Sequence, residues 1–141
     1  PVDLAVCTAA VVDLKPIEKS KNKIKKDKLN FKSINFIKNN DILNFLSKSN
    51  RNRPKIVAGF SAETESIIKN STQKMKIKNC DVIFANDVSK KDIGFNSDFN
   101  KVSMIDQKGN IKILPKNKKS FIANKIAQIL LDKLIDDRNI N

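Results

Sequence analysis

Residues 19–28 read KSKNKIKKDK, six lysines in ten positions. Lysine at that density is a solvated face, a grip on nucleic acid, or one reacting cation among idle neighbours. What the chain lacks narrows the chemistry. It has no histidine, which excludes Ser-His-Asp triads, HExxH zinc sites and imidazole acid–base catalysis. Gly59, Gly94 and Gly109 are its only glycines, so GxGxxG and Walker A loops are absent too. Cys7 and Cys80 form no CxxC and have no histidine to complete a metal site. Lysine, aspartate, asparagine and backbone groups remain, a set that suits phosphate handling better than hydrolysis.

The net charge of +13, from 28 Lys+Arg against 15 Asp+Glu, invites a nucleic-acid reading. Arginine stands only at 51, 53 and 138, however, and the chain is crowded with Asn and Ile as well as Lys. Those three residue types share A/T-rich codons, so base composition alone supplies much of the charge. Single-strand binders also need aromatic platforms. This chain has eight Phe, no Trp and no Tyr, and the lysine run meets no aromatic before Phe31. Nucleic acid is therefore not the expected partner. No apolar run approaches the roughly 18 residues of a membrane span, so no membrane partner is expected. The start PVDLAVCTAA lacks the basic n-region of a signal peptide. Two unpaired thiols without a secretion signal point to a reducing cytoplasm. The chain opens without Met, directly on an apolar segment, and reads as the interior of a longer one. With 40% hydrophobic and 30% charged residues over 141 positions, it has the composition of one soluble globular domain.

Strands and helices alternate along it. VDLAVCTAAVV (2–12) is a near-continuous apolar run of the buried parallel-strand kind. LNFKSINFI (29–37) alternates imperfectly and reads as a strand. NNDILNFLSK spaces Ile42, Leu43 and Leu46 for a short helix behind Asn caps. SNRNRP is a loop, KIVAGF (55–60) a second buried strand, and TESIIKNSTQKMKIKN a helix with Thr64 as its N-cap. CDVIFAND (80–87) is a third strand, and residues 101–114 are a hairpin turning on Lys108-Gly109-Asn110. From Ser120 to about Asp136 a helix places Ile122, Ile126, Ile129, Leu130 and Leu134 on one face. This predicts an α/β fold: a mostly parallel sheet with flanking helices and an appended hairpin. In such sheets ligands lie beyond the carboxyl ends of the strands, which directs attention to AAVVD, GFSAET and ANDVS.

AAVVD, KIKKD about ten residues later, then NNDIL, GFSAET, KNCDVIFANDVS and GFNSDFN resemble the synthetase half of the bacterial phosphopantothenoylcysteine synthetase/decarboxylase family. Order and spacing match from about residue 3 to the C-terminal helix. The resemblance implies a CTP-dependent ligase of coenzyme A biosynthesis, joining 4′-phosphopantothenate to cysteine through an acyl-cytidylate, with Mg²⁺, in a homodimer. In that family the Rossmann-like domain starts earlier, with a Gly-rich nucleotide-binding portion, and flavin belongs to the separate decarboxylase half. Neither is present here. Residues 1–141 are thus expected to be the C-terminal portion of the synthetase domain, inactive alone.

The resemblance also carries residue roles. It makes Lys23, first in KIKK, the catalytic cation and a CTP contact, leaving Lys19, Lys21, Lys25, Lys26 and Lys28 as solvated neighbours. Cys7, Thr8 and Ala9 match backbone positions against the nucleotide, with Ala10 at the substrate, and Asp13 an acidic nucleotide contact. Asn40, Asp41, Ile42 and Leu43 match the nucleotide loop PDIL, with Asn in place of its Pro. Phe60, Lys74 and Lys78 match three further CTP contacts, and no metal ligand is assigned. GFNSDFN and its hairpin resemble the dimerisation segment, with LNFKSINFI as its counterpart. Beside the ligase, a basic nucleic-acid-binding module and a non-catalytic dimerisation subunit stay open.

Overall fold

The computed structural model describes residues 2–9, 11–18, 20–23, 34–48, 51–90, 92–93 and 97–139. In chain order the elements are β1 (Leu4–Cys7), β2 (Leu14–Pro16), β3 (Phe36–Lys38), α1 (Ile42–Lys48), β4 (Ile56–Glu63), α2 (Ile67–Lys78), β5 (Val82–Asp87), β6 (Phe99–Asp106), β7 (Ile111–Lys118) and α3 (Lys119–Asn139). They divide into two units, Pro1–Thr8 with Ile42–Asn141, and Ala9–Asp41.

The first unit is built on a five-stranded sheet in the order β1-β4-β5-β6-β7. β1, β4 and β5 are parallel, and β6 and β7 continue the sheet antiparallel. Because strand side chains alternate between faces, each central strand feeds two cores. Ile56, Ala58, Val82, Phe84, Val102 and Leu114 meet Ile122, Ile126, Leu130 and Leu134 of α3 on one face. On the other, Val57, Ile83, Ala85 and Ile105 meet Met75 of α2, with Leu43 and Leu46 of α1 against them. Burial on both faces explains the uninterrupted apolar runs of β4 and β5. The stripe expected on α3 is the one buried, with Ile129 at its partly exposed margin.

Four local expectations are corrected. The apolar run 2–12 is a strand only over Leu4–Cys7. Val11 and Val12 are exposed, at 48% and 68%, because the chain leaves the sheet after Thr8 and enters the second unit. β4 runs on to Glu63, since β5 offers it ladder partners as far as Asp87. Thr64 therefore caps nothing. Ser66 occupies the N-cap of α2 in left-handed conformation (φ 46°) without a side-chain capping bond. The hairpin turns where expected, but its strands reach from Phe99 to Lys118.

The second unit is an antiparallel pair, Leu14–Pro16 against Phe36–Lys38. Of the strand expected over 29–37, residues 29–33 lie outside those described, and pairing starts only at Phe36.

Candidate functional site

In the first unit the parallel strands β1, β4 and β5 present their carboxyl ends on the same side of the sheet. Cys7, half-buried, is the last residue of β1 and the ladder partner of Gly59. Thr8 follows it, exposed. Gly59 is a glycine because α1 rests on it. A Cβ built there would lie 2.6 Å from Leu43 Cδ2 and 3.3 Å from Cδ1, so Leu43 would have to shift to admit it. Leu43 thus seats the N-terminal end of α1 beside β1 and β4, while Ile42 remains exposed.

Lys74 and Lys78 lie one turn apart on α2, both half-buried, on the same side of the sheet as α1. Their helix is pinned to β4 at mid-length by the buried pair Ser61 Oγ and Ser71 Oγ, 2.5 Å apart. Phe60 projects to the opposite face, where its ring meets Phe84 at a centroid distance of 5.2 Å. The structure therefore groups Cys7, Leu43, Lys74 and Lys78 on one side of the sheet and Phe60 on the other.

At the end of β5, Asp87 is committed locally. Ser89 donates to its Oδ1 from the hydroxyl (2.5 Å) and from the backbone N–H (3.1 Å), and Lys90 Nζ lies 3.7 Å from Oδ2. Those bonds, the Ser89 hydroxyl foremost, hold its carboxyl below the usual range. Asn86 Oδ1 accepts from Asn100 Nδ2 at 3.3 Å. Cys80 is buried, and burial pushes its thiol up to about 11, so it carries no thiolate at neutral pH. Among the described residues no three His, Cys, Asp or Glu side chains gather into a metal site.

The second unit joins two motif segments that lie far apart in sequence. As β2 and β3 pair, Asn39 N–H donates to Asp13 O at 2.7 Å and Asn39 Nδ2 to Val12 O at 3.2 Å. Asn40 N–H then donates to Asn39 Oδ1 at 3.2 Å. The Asp13 and Asn40–Asp41 positions are thus neighbours through their backbones. Ala9, Asp13, Asn40 and Asp41 are exposed. Lys23 is exposed as well and follows a short turn in which Ser20 Oγ donates to Asn22 O at 2.6 Å. Ala10, Lys19, Lys25, Lys26 and Lys28 lie outside the described residues.

Residues 1–134 match the family described as the DNA/pantothenate metabolism flavoprotein C-terminal domain. The chain belongs to this family. It is 39% identical over 129 residues to the coenzyme A biosynthesis bifunctional protein CoaBC of Borreliella burgdorferi, which aligns over 91% of this chain and 32% of that protein. It spans about a third of the length of the curated relatives it matches. The crystal structure of the C-terminal domain of a CoaBC protein superposes with a TM-score of 0.71 at 27% identity, covering 96% of this chain and 56% of that one. A further likeness shows the fold alone: a Cab2 mutant in complex with phosphopantothenate-cysteine, with a TM-score of 0.50 at 16% identity over 76% of this chain. The α/β architecture expected from the alternating strands and helices is that of the CoaBC C-terminal domain.

Two residues that matter to this arrangement escaped sequence reasoning as site residues. Gly59 was legible only as part of GFSAET. Arg53, read as loop, is the hub of a hydrogen-bond network. A signal for it existed, since arginine is nearly absent from this lysine-dominated chain and survives where a planar fork is needed.

Proposed function

We propose that this chain is the C-terminal portion of a phosphopantothenate–cysteine ligase of coenzyme A biosynthesis, and that it supplies part of the CTP site. Family membership over residues 1–134 is the observation that carries the reading. The seating of α1 by Leu43 on Gly59, level with the carboxyl end of β1, supports it, because ligands of such sheets lie beyond the carboxyl ends of strands.

In the proposed reaction a carboxylate oxygen of 4′-phosphopantothenate bonds to the α-phosphorus of CTP as the α–β bridging P–O bond breaks, releasing pyrophosphate. The cysteine amine then bonds to the acyl carbon, the C–O bond to the cytidylate breaks, and the nitrogen loses a proton as CMP departs. Both steps concentrate negative charge on oxygen, which a fixed ammonium stabilises. Lys23 has that role here. Lys74 and Lys78, Asp13, Phe60, the backbone of residues 7–9 and the Asn40–Leu43 segment would hold the nucleotide, with Ala10 at the substrate. Mg²⁺ would enter on the triphosphate. Such ions are commonly held by one or two carboxylates plus substrate phosphates, so a protein cage is not required. The assembly is a homodimer in the cytoplasm.

The test is pyrophosphate release by the full-length protein with CTP, Mg²⁺, 4′-phosphopantothenate and cysteine. Release that requires phosphopantothenate is expected, with CTP preferred to ATP. No release under any nucleotide would overturn the reading.

A further inference from the structure

One guanidinium ties together the carboxyl ends of both helices on the Leu43 side of the sheet. Arg53 Nε donates to Ser47 O, in the last turn of α1, at 2.7 Å. Its Nη2 donates to Asn79 O, just past the end of α2, at 3.3 Å, and to Asp81 Oδ2 at 2.9 Å. Its Nη1 donates to Pro54 O at 2.9 Å and Lys55 O at 3.4 Å, where β4 begins. Asp81 holds the fork in place, and its Oδ2 also accepts the Val57 N–H at 2.7 Å. Asn79, the left-handed C-cap of α2, sends its Nδ2 to the same Ser47 O at 3.3 Å. Ser47 is 1% exposed, so its carbonyl has no access to solvent and depends on these donors.

α1 has seven residues, too few to hold its shape without tertiary contacts. It is fixed at its N-terminal end by Leu43 on Gly59 and at its C-terminal end by Arg53 and Asn79. The same fork reaches the end of α2, on which Lys74 and Lys78 stand. We propose that Arg53 is a positioning residue for the nucleotide site, setting the spacing of α1 and α2 from their carboxyl ends. The proposal rests on the CTP reading above. Five donors in a rigid plane match five acceptors on three chain segments, and a lysine ammonium cannot reproduce that pattern. A residue that sets distance between binding groups affects the ligand those groups hold, whereas one that merely stabilises the fold affects every property of the enzyme alike.

The test is steady-state kinetics of Arg53→Lys in the full-length protein, run well below its melting temperature. KM for CTP should rise about 5- to 50-fold while KM for the other two substrates stays within roughly twofold, below the roughly 10²-fold that a full 1 Å misplacement can cost. A lowered melting temperature with unchanged KM for CTP would overturn the proposal. If Arg53→Lys does not fold, Asn79→Gly decides. Glycine keeps the left-handed cap and the carbonyl to Arg53, and removes only the Asn79 bond to Ser47. A selective rise in KM for CTP of roughly two- to threefold supports the proposal, and none overturns it. Wild-type activity separates the two ideas: inactive wild-type protein refutes the ligase reading, whereas active wild-type protein with an indifferent Arg53 refutes only the positioning role.

Discussion

Lys23 is exposed, just after a short turn of the second unit, without the burial that usually marks a reacting group. Its proposed role rests on the family's motif, and the numbers expected of it are correspondingly specific. In the full-length protein Lys23→Ala should lower turnover roughly 10²- to 10³-fold, the effect of removing one transition-state donor, or about 2.7–4 kcal/mol. Lys21→Ala should cost less than about threefold, because exposed charges beyond the site are screened over roughly 8 Å. Lys23→Arg should restore little, since a planar fork does not replace a compact ammonium at a phosphate. Kinetics at saturating CTP measure all three. Equal losses in both alanine variants would make the lysine run a diffuse field rather than one acting residue among solvated ones.

At the scale of elements, two contacts carry measurable consequences. Gly59→Ala drives a methyl into Leu43 and should destabilise the protein by about 1–3 kcal/mol in urea unfolding, the usual range for overpacking. The double variant with Leu43→Ala should lose less than the sum of the single changes, because the two groups share one space. The β6–β7 turn depends on Asp106, whose Oδ1 accepts the Asn110 N–H and whose Oδ2 accepts Asn110 Nδ2, both at 2.9 Å. Burial raises its pKa, but the Asn110 side-chain and backbone bonds and the Lys108 N–H outweigh that and leave it below its ordinary 3.8. A depressed carboxyl stabilises the fold above its unfolded value and loses that contribution as pH falls through the folded one. Thermal melts should therefore show a loss on acidification below about pH 4 that is smaller in Asp106→Asn. Most elements were legible because apolar runs and 3.6-residue spacing encode burial directly, as in KIVAGF and the α3 stripe. Val11 and Val12 misled because periodicity reports β preference and not whether a neighbouring strand exists. The Thr64 cap failed because β4 was extended by its partner β5, which no local pattern reveals. Of the candidate site, the positions in Asp13 and NNDIL were visible as motifs. Their pairing through Asn39 was not, because it spans a long connection.

At the scale of the whole molecule, apolar side chains remain on show in both units. Leu14, Phe36 and Ile37 of the β2–β3 pair are 52%, 53% and 44% exposed, and Ile111 and Ile113 on the edge strand β7 are 50% and 59%. Exposure of this kind marks surfaces that other chains cover. Sedimentation of the full-length protein should give a dimer at micromolar concentration, and a monomer would count against the homodimer. Another consequence follows from the connection between the two strands that meet at the Cys7–Gly59 pair. β1 finds β4 only after the chain has passed through all of β2, β3 and α1. The entropy lost in closing such a connection grows with the logarithm of its length, about 0.6 kcal/mol per doubling. Outside its motif positions, the stretch between β1 and β4 can therefore gain or lose residues for less than a typical hydrogen bond contributes, with the register of β1 on β4 unchanged.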